Sequence, residues 1–225
     1  MPTSGNSDQN PTAAPADSNL ASIAKYRKKA AAYNDSTGRT HPIRVRTIDL
    51  LDLQPGQTVL DTGCGTGKSF EMLLERVGPE GLVVGVDQSP EMIAIARTLV
   101  SEKGWTNVMV IEGFMETVKL PVRFDAILFH YTHDILRVQG AVDNLFSHVK
   151  PGARVAVAGM KYFPWWTGPL NLYAFFKNYA WNGNASGMWR PWSLLREKLS
   201  GWSMTPTQFG MGYIGSGRYK GQEDE

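Results

Sequence analysis

Two short stretches of this 225-residue chain carry residue types that can do chemistry. The first, Asp61-Thr-Gly63-Cys64-Gly65-Thr-Gly67-Lys68-Ser69, alternates glycines directly after a β-prone run. Such spacing lets backbone amides approach a ligand closely and turn into a following helix. Two phosphate-binding readings fit poorly. A P-loop, G-x-x-x-x-G-K-[ST], finds its end in Gly67-Lys68-Ser69, but Thr62 stands where its first glycine belongs. A dinucleotide fingerprint, G-x-G-x-x-G, takes Gly63 and Gly65, meets Lys68 at its third glycine, and leaves Asp61 beside a pyrophosphate. A carboxylate there suits a ligand that is cationic at that end and carries no phosphate. The second stretch, His130-Tyr131-Thr132-His133-Asp134, gathers groups able to hold or move a proton near neutral pH. His133 is the expected general base or acceptor-orienting group, with Asp134 or Tyr131 assisting. The alternative is that His133-Asp134 only caps the next helix.

These stretches need elements to position them. Thr58 to Asp61, Leu82 to Asp87, Val108 to Glu112, Phe124 to Phe129 and Arg154 to Ala158 are short β-prone runs. Between them the periodicity predicts helices over Lys68 to Arg76, Pro90 to Glu102 and Val138 to Val149. Ser89 is the expected N-cap of the second, with Pro90 in its first turn, and Pro151-Gly152 stops the third. A further helical pattern covers Ile43 to Leu53. Strands alternating with helices predict an α/β fold, a parallel sheet covered on both faces with ligand sites at the strands' carboxyl ends.

With these elements in place, the glycine loop resembles the first signature of the class I S-adenosylmethionine-dependent methyltransferases of small-molecule type, which carry an acidic residue just upstream. Val83-Val-Gly-Val-Asp87-Gln88-Ser-Pro-Glu-Met92 resembles that family's second strand, and Asp87 lies 24 residues beyond Gly63. Phe124 to Phe129 is similar to the fourth strand, and Val149 to Val157 to the turn into the fifth. The likeness spans about Leu50 to Gly159 in order. It implies a Rossmann-like three-layer sandwich: a seven-stranded, mostly parallel sheet with an antiparallel C-terminal strand and an α-helical cap. It further implies S-adenosyl-L-methionine as cofactor and S-adenosyl-L-homocysteine as product. Asp61, Gly63, Cys64, Gly65 and Gly67 would bind the cofactor, Asp61 toward its cationic end. Asp87 would take the ribose hydroxyls, with Gln88 and Met92 flanking adenine. His130 would lie near the cofactor through its backbone. After the third strand the family often places an acid against adenine; this chain reads Gly113-Phe114-Met115, so Phe114 and Met115 are expected there as apolar packing. Tyr33, in the segment before the first strand, is the expected cover over the methionine end.

Composition bounds what is methylated. Twenty-three basic against 21 acidic side chains give a formal charge of +2, too little to attract a polyanion, so nucleic acid is not the expected partner. The one cysteine excludes an intrachain disulfide framework and favours a cytoplasmic chain, and no metal site is expected from four histidines without ligand spacing. Residues 1–19 read as a disordered tail and 20–225 as the methyltransferase domain. Within it, 20–55 form lid helices, 56–160 the cofactor-binding core, 161–200 an aromatic helical cap and 201–225 the terminal strands. Trp165, Trp166, Tyr173 and Phe176 are the expected substrate contacts in that cap, stacking on a small apolar or aromatic acceptor. A lipid headgroup at a membrane surface and a non-catalytic S-adenosylmethionine-binding module are the alternatives.

Overall fold

A computed structural model describes residues 40–162, 167–168 and 189–221. Seven strands form one sheet in the order β3-β2-β1-β4-β5-β7-β6. They are β1 (Thr58–Thr62), β2 (Leu82–Asp87), β3 (Val108–Glu112), β4 (Phe124–His130), β5 (Val149–Met160), β6 (Leu199–Thr207) and β7 (Gly212–Tyr219). The first five run parallel, and β7 is inserted antiparallel between β5 and β6. The sheet order reverses at β1, whose neighbours are β2 and β4. That is the crevice where an open α/β sheet binds its ligand.

Helices cover both faces. On one lie α1 (His41–Asp49), α2 (Phe70–Val77) and α3 (Pro90–Lys103), packed by Ile48, Phe70, Leu73 and Ile93 onto Val59, Val83, Ala126 and Leu128. On the other lie α4 (His133–Leu136), α5 (Gln139–Phe146) and α6 (Ser193–Lys198), packed onto Leu60, Val84, Ile127 and Phe129. Residues adjacent in a strand go to opposite faces, as the period of two requires. Asp61 therefore shares the α1 side with Val59, and the register Asp61↔Leu128 puts His130 on that side too.

Several expected boundaries move. The helix expected over Val138 to Val149 ends at Phe146, and Val149 already pairs with Phe124 in β5. Pro151 and Gly152 lie inside that strand, where the register shifts between Phe124 and Ala126 and Gly152 takes φ 79°. They interrupt a ladder rather than stop a helix. Helix α2 begins at Phe70 instead of Lys68, because Gly67 N–H donates to Cys64 O and Phe70 N–H to Gly67 O, prolonging the loop as turns. Strand β6 starts at Leu199, within the stretch expected to be cap. The tail, Tyr33, Trp165, Trp166, Tyr173 and Phe176 lie outside the described residues. Of the cap, Trp192 packs its ring 4.5 Å from Tyr213 and 6.4 Å from Trp202, as sheet-covering core.

Candidate active site

A cleft opens at the carboxyl ends of β1, β2, β3 and β4. The glycine loop leaves β1 with Gly63 at φ 66°, Gly65 at 55° and Gly67 at 80°, values that L side chains adopt only with strain. A Cβ on Gly63 would lie 2.3 Å from Thr132 Cγ2, so this glycine lets the loop close on the segment after β4. At Gly65 nothing lies within 4 Å of the same position, and its surface faces the cleft. Gly67 answers to packing, since its Cβ would meet the Phe70 ring at 2.7 Å.

Asp87 ends β2 with both carboxylate oxygens fixed. Gly65 N–H donates to Oδ2 and Ser89 N–H to Oδ1, each at 2.9 Å. These amides hold the carboxylate at the cleft wall and still leave oxygen lone pairs for a ligand. Burial raises its pKa, and the amides of Ser89 and Gly65 oppose that shift. Gly113 N–H donates to Asp87 O, so the turn after β3 lies against the same strand end.

Asp61 is buried on the α1 side and is absent from the cleft lining, with Oδ2 unpartnered. Burial first, then the charge of Asp87, push its pKa up to about 7, while the Arg44 guanidinium and a hydrogen bond with Ser69 pull it down. Cys64 turns its thiol into the core against Gly85, and burial followed by the charges of Asp61 and Asp87 raises its pKa.

The segment after β4 departs from expectation. His130, Tyr131, Thr132 and Asp134 line the cleft; His133 does not. The first residue of α4, His133 is buried, and its Nε2 accepts the Met160 N–H at 3.1 Å. Its neutral form therefore carries the proton on Nδ1, which has no partner. Burial, aided by Arg137, lowers its pKa to about 4. The lone pair a general base would use is committed to the backbone, which corrects the assignment of that role to His133. Tyr131 stands at φ 63°, strained for a non-glycine residue, and its hydroxyl accepts from Gln208 Nε2 at 3.1 Å.

Gln88, Met92, Gly113 and Met115 line the cleft. Phe114 does not: it is exposed and absent from the lining, and Glu116 enters the lining instead. An acid is thus present two residues beyond the position where the resemblance implies one. Ser89, Thr132 and Ile135 are further lining residues that the motifs did not name. Arg44 also escaped notice. It is buried on α1, with Nη2 3.3 Å from His130 Nδ1. Its signal was present: Arg44 shares one helical face with Thr47, Ile48 and Leu51, and the last two read as core.

Residues 59–152 match the methyltransferase domain family. Over that stretch the chain is similar to methyltransferases, and its fold is that of S-adenosylmethionine-dependent members of the class. The chain is 30% identical over 142 residues to the aklanonic acid methyltransferase DauC of a Streptomyces species, covering 58% of this chain and 64% of that protein. It is also 30% identical over 134 residues to a demethylmenaquinone methyltransferase of Listeria monocytogenes, covering 58% and 56%. The matches span less than two thirds of those relatives' lengths. The fold is that of a SAM dependent methyltransferase from Aquifex aeolicus, with a TM-score of 0.54, 21% identity, and 74% of this chain and 84% of that chain covered. The residues of the cleft fit S-adenosylmethionine. An anchored carboxylate at the end of β2 suits a diol, and the open amide surface of Gly65 suits a close ligand. Met92 and Met115 offer an apolar slot beside Glu116.

Proposed function

We propose that this methyltransferase methylates a small acceptor with an apolar or aromatic body, on oxygen or nitrogen. The observation that carries the reading is Asp87, amide-anchored at the switch point of the sheet and hydrogen-bonded to the glycine loop. Asp87 would hold the ribose of S-adenosylmethionine, with Gly113, Met92 and Met115 about the adenine and Glu116 in reach of its amine. When bound, that cofactor supplies a methyl group already activated on a sulfonium, leaving S-adenosylhomocysteine. The chain's own task is alignment and exclusion of water, which can lower a barrier by several kcal/mol. Tyr131 and Asp134, on the cleft wall beyond β4, would orient the acceptor, and Asp134 would take its proton where one must leave. Acidic lining and near-neutral charge agree with a small molecule rather than a nucleic acid as acceptor. Among the described residues no helix is long and apolar enough to cross a membrane, and the reading places the chain in the cytoplasm.

Transfer of labelled methyl from S-adenosylmethionine to a panel of phenols, catechols, quinols and amines tests this. Turnover on at least one ring-bearing acceptor is expected. Cofactor binding with no transfer to any of them would leave only a binding module. A second reading, an acceptor met at a membrane surface, draws on Phe209, fully exposed beside the Gln208 that holds Tyr131. Flotation with anionic vesicles would support it, and recovery of all protein in the unbound fraction would exclude it.

A further inference from the structure

Backbone strain in this fold gathers at one place. Four non-glycines among the described residues take a left-handed backbone, and three of them lie together: Tyr131 at φ 63°, Gln208 at 49° and Phe209 at 56°. L side chains hold that conformation at a cost, and it persists where surrounding contacts over-determine it. Burial of the tip does not offset the cost, because Phe209 is fully exposed.

Strand pairing brings these residues together across the chain. Tyr131 follows β4, and its N–H donates to Ala158 O at 2.8 Å. Strand β5 runs on to Met160, which pairs with Gly212, so the β6–β7 turn stands at the carboxyl end of the sheet. Lys161 N–H donates to Met211 O at 2.7 Å and fastens that turn to the end of β5. Gln208 then reaches over 77 positions of sequence, its Nε2 donating to the Tyr131 hydroxyl at 3.1 Å. Its Oε1 lies 3.3 Å from where a Gly212 Cβ would stand, so that glycine gives the folded carboxamide its room. The Tyr131 ring meets His130 edge-on, 4.8 Å between centroids. Ring and hydroxyl are both held.

Tyr131 and Asp134 line the same cleft three residues apart. A carboxylate can take a proton, whereas a phenol contributes a hydrogen bond. We propose that Gln208 is a positioning residue for the methyl acceptor: by fixing the Tyr131 hydroxyl it selects ring acceptors with a second oxygen besides the one methylated. Asp134 meets the reacting group and Tyr131 the second oxygen. The proposal rests on the reading of the cleft as a methyl-transfer site, and it adds the substrate class and the residue that sets it.

The test compares kcat/KM for catechols and quinols with that for phenols of the same ring, S-adenosylmethionine being the donor. The intact protein should prefer the two-oxygen acceptors by about tenfold, the scale of one hydrogen bond. Gln208→Leu and Tyr131→Phe should each remove that preference, and the double variant should lose no more than either alone. S-adenosylhomocysteine affinity should stay within about twofold in all three. In carbon NMR the Tyr131 Cζ resonance, assigned through Tyr131→Phe, should shift in Gln208→Leu, a readout that needs no acceptor. No preference in the intact protein, an unmoved resonance, multiplying losses in the double variant, or cofactor affinity falling with turnover in Gln208→Leu would each overturn the positioning role. All four leave methyl transfer itself standing. Transfer to none of the ring acceptors would overturn both readings.

Discussion

Asp87 and Gly65, 22 residues apart in sequence, are joined by a 2.9 Å hydrogen bond that ties the end of β2 to the loop leaving β1. The bond crosses the crevice at which the sheet order reverses, so one carboxylate both braces the glycine loop and faces the ligand. Its removal should be felt twice. Asp87→Ala should lower S-adenosylhomocysteine affinity by a hundredfold or so, since charged hydrogen bonds contribute about 1.5–3 kcal/mol each. Titration calorimetry reads this directly. An Asp87→Ala protein that binds within threefold of the original would remove Asp87 from the site.

Gly63 and Thr132 are in steric contact across the same crevice. Gly63→Ala places a methyl 2.3 Å from Thr132 Cγ2 at φ 66°, so it should cost at least about 1–3 kcal/mol of stability and most of the cofactor affinity. Thr132→Ser removes the methyl that clashes. The double variant should recover part of the thermal stability, and a double-mutant cycle measures how much. Additive losses would show that the two positions do not meet.

The pH dependence of stability should contain two opposed contributions. Asp61 has its pKa raised from 3.8 to about 7, so the folded state keeps a proton that the unfolded state has lost between those values. Its contribution to stability is full below pH 3.8 and declines as pH rises to 7. Asp61→Asn should therefore gain stability relative to the original protein across that window, by up to about 1.4 kcal/mol per pH unit. Chemical denaturation at a series of pH values gives the slope, and a pH-independent difference would place Asp61 outside the buried, titrating set.

His133 acts in the other direction. Its pKa is lowered from 6.5 to about 4, so its contribution is full above 6.5 and declines as pH falls toward 4. His133→Gln retains an acceptor for the Met160 amide and removes the titration. It should match the original near pH 7, gain on it progressively below 6.5, and keep turnover on any acceptor found. A rate loss of a hundredfold with folding intact would restore His133 as the base.

The local parts of this architecture are readable from the chain because they depend on neighbours in sequence. Alternating glycines after a β-prone run, the Ser89-Pro90 helix start and the acid ending Val83 to Asp87 each state a backbone conformation within a few residues. The misplacements share a different cause. Val149 belongs to β5 because Phe124, 25 residues earlier, is there to pair with it, and nothing local distinguishes it from a last helical turn. Phe114 and Glu116 exchange roles because the turn after β3 is oriented by the Gly113 amide on Asp87 O, so facing the cleft is decided by another strand. His133 and His130 are alike in type and near in sequence. One is held by the Met160 amide from β5 and the other by a guanidinium from α1, 86 residues away. Sequence determined which residues this protein has for its chemistry and the strand ends that carry them. Tertiary structure decided which nitrogen bears a proton and which carboxylate is buried, because both are set by charges and amides that arrive from elsewhere in the chain.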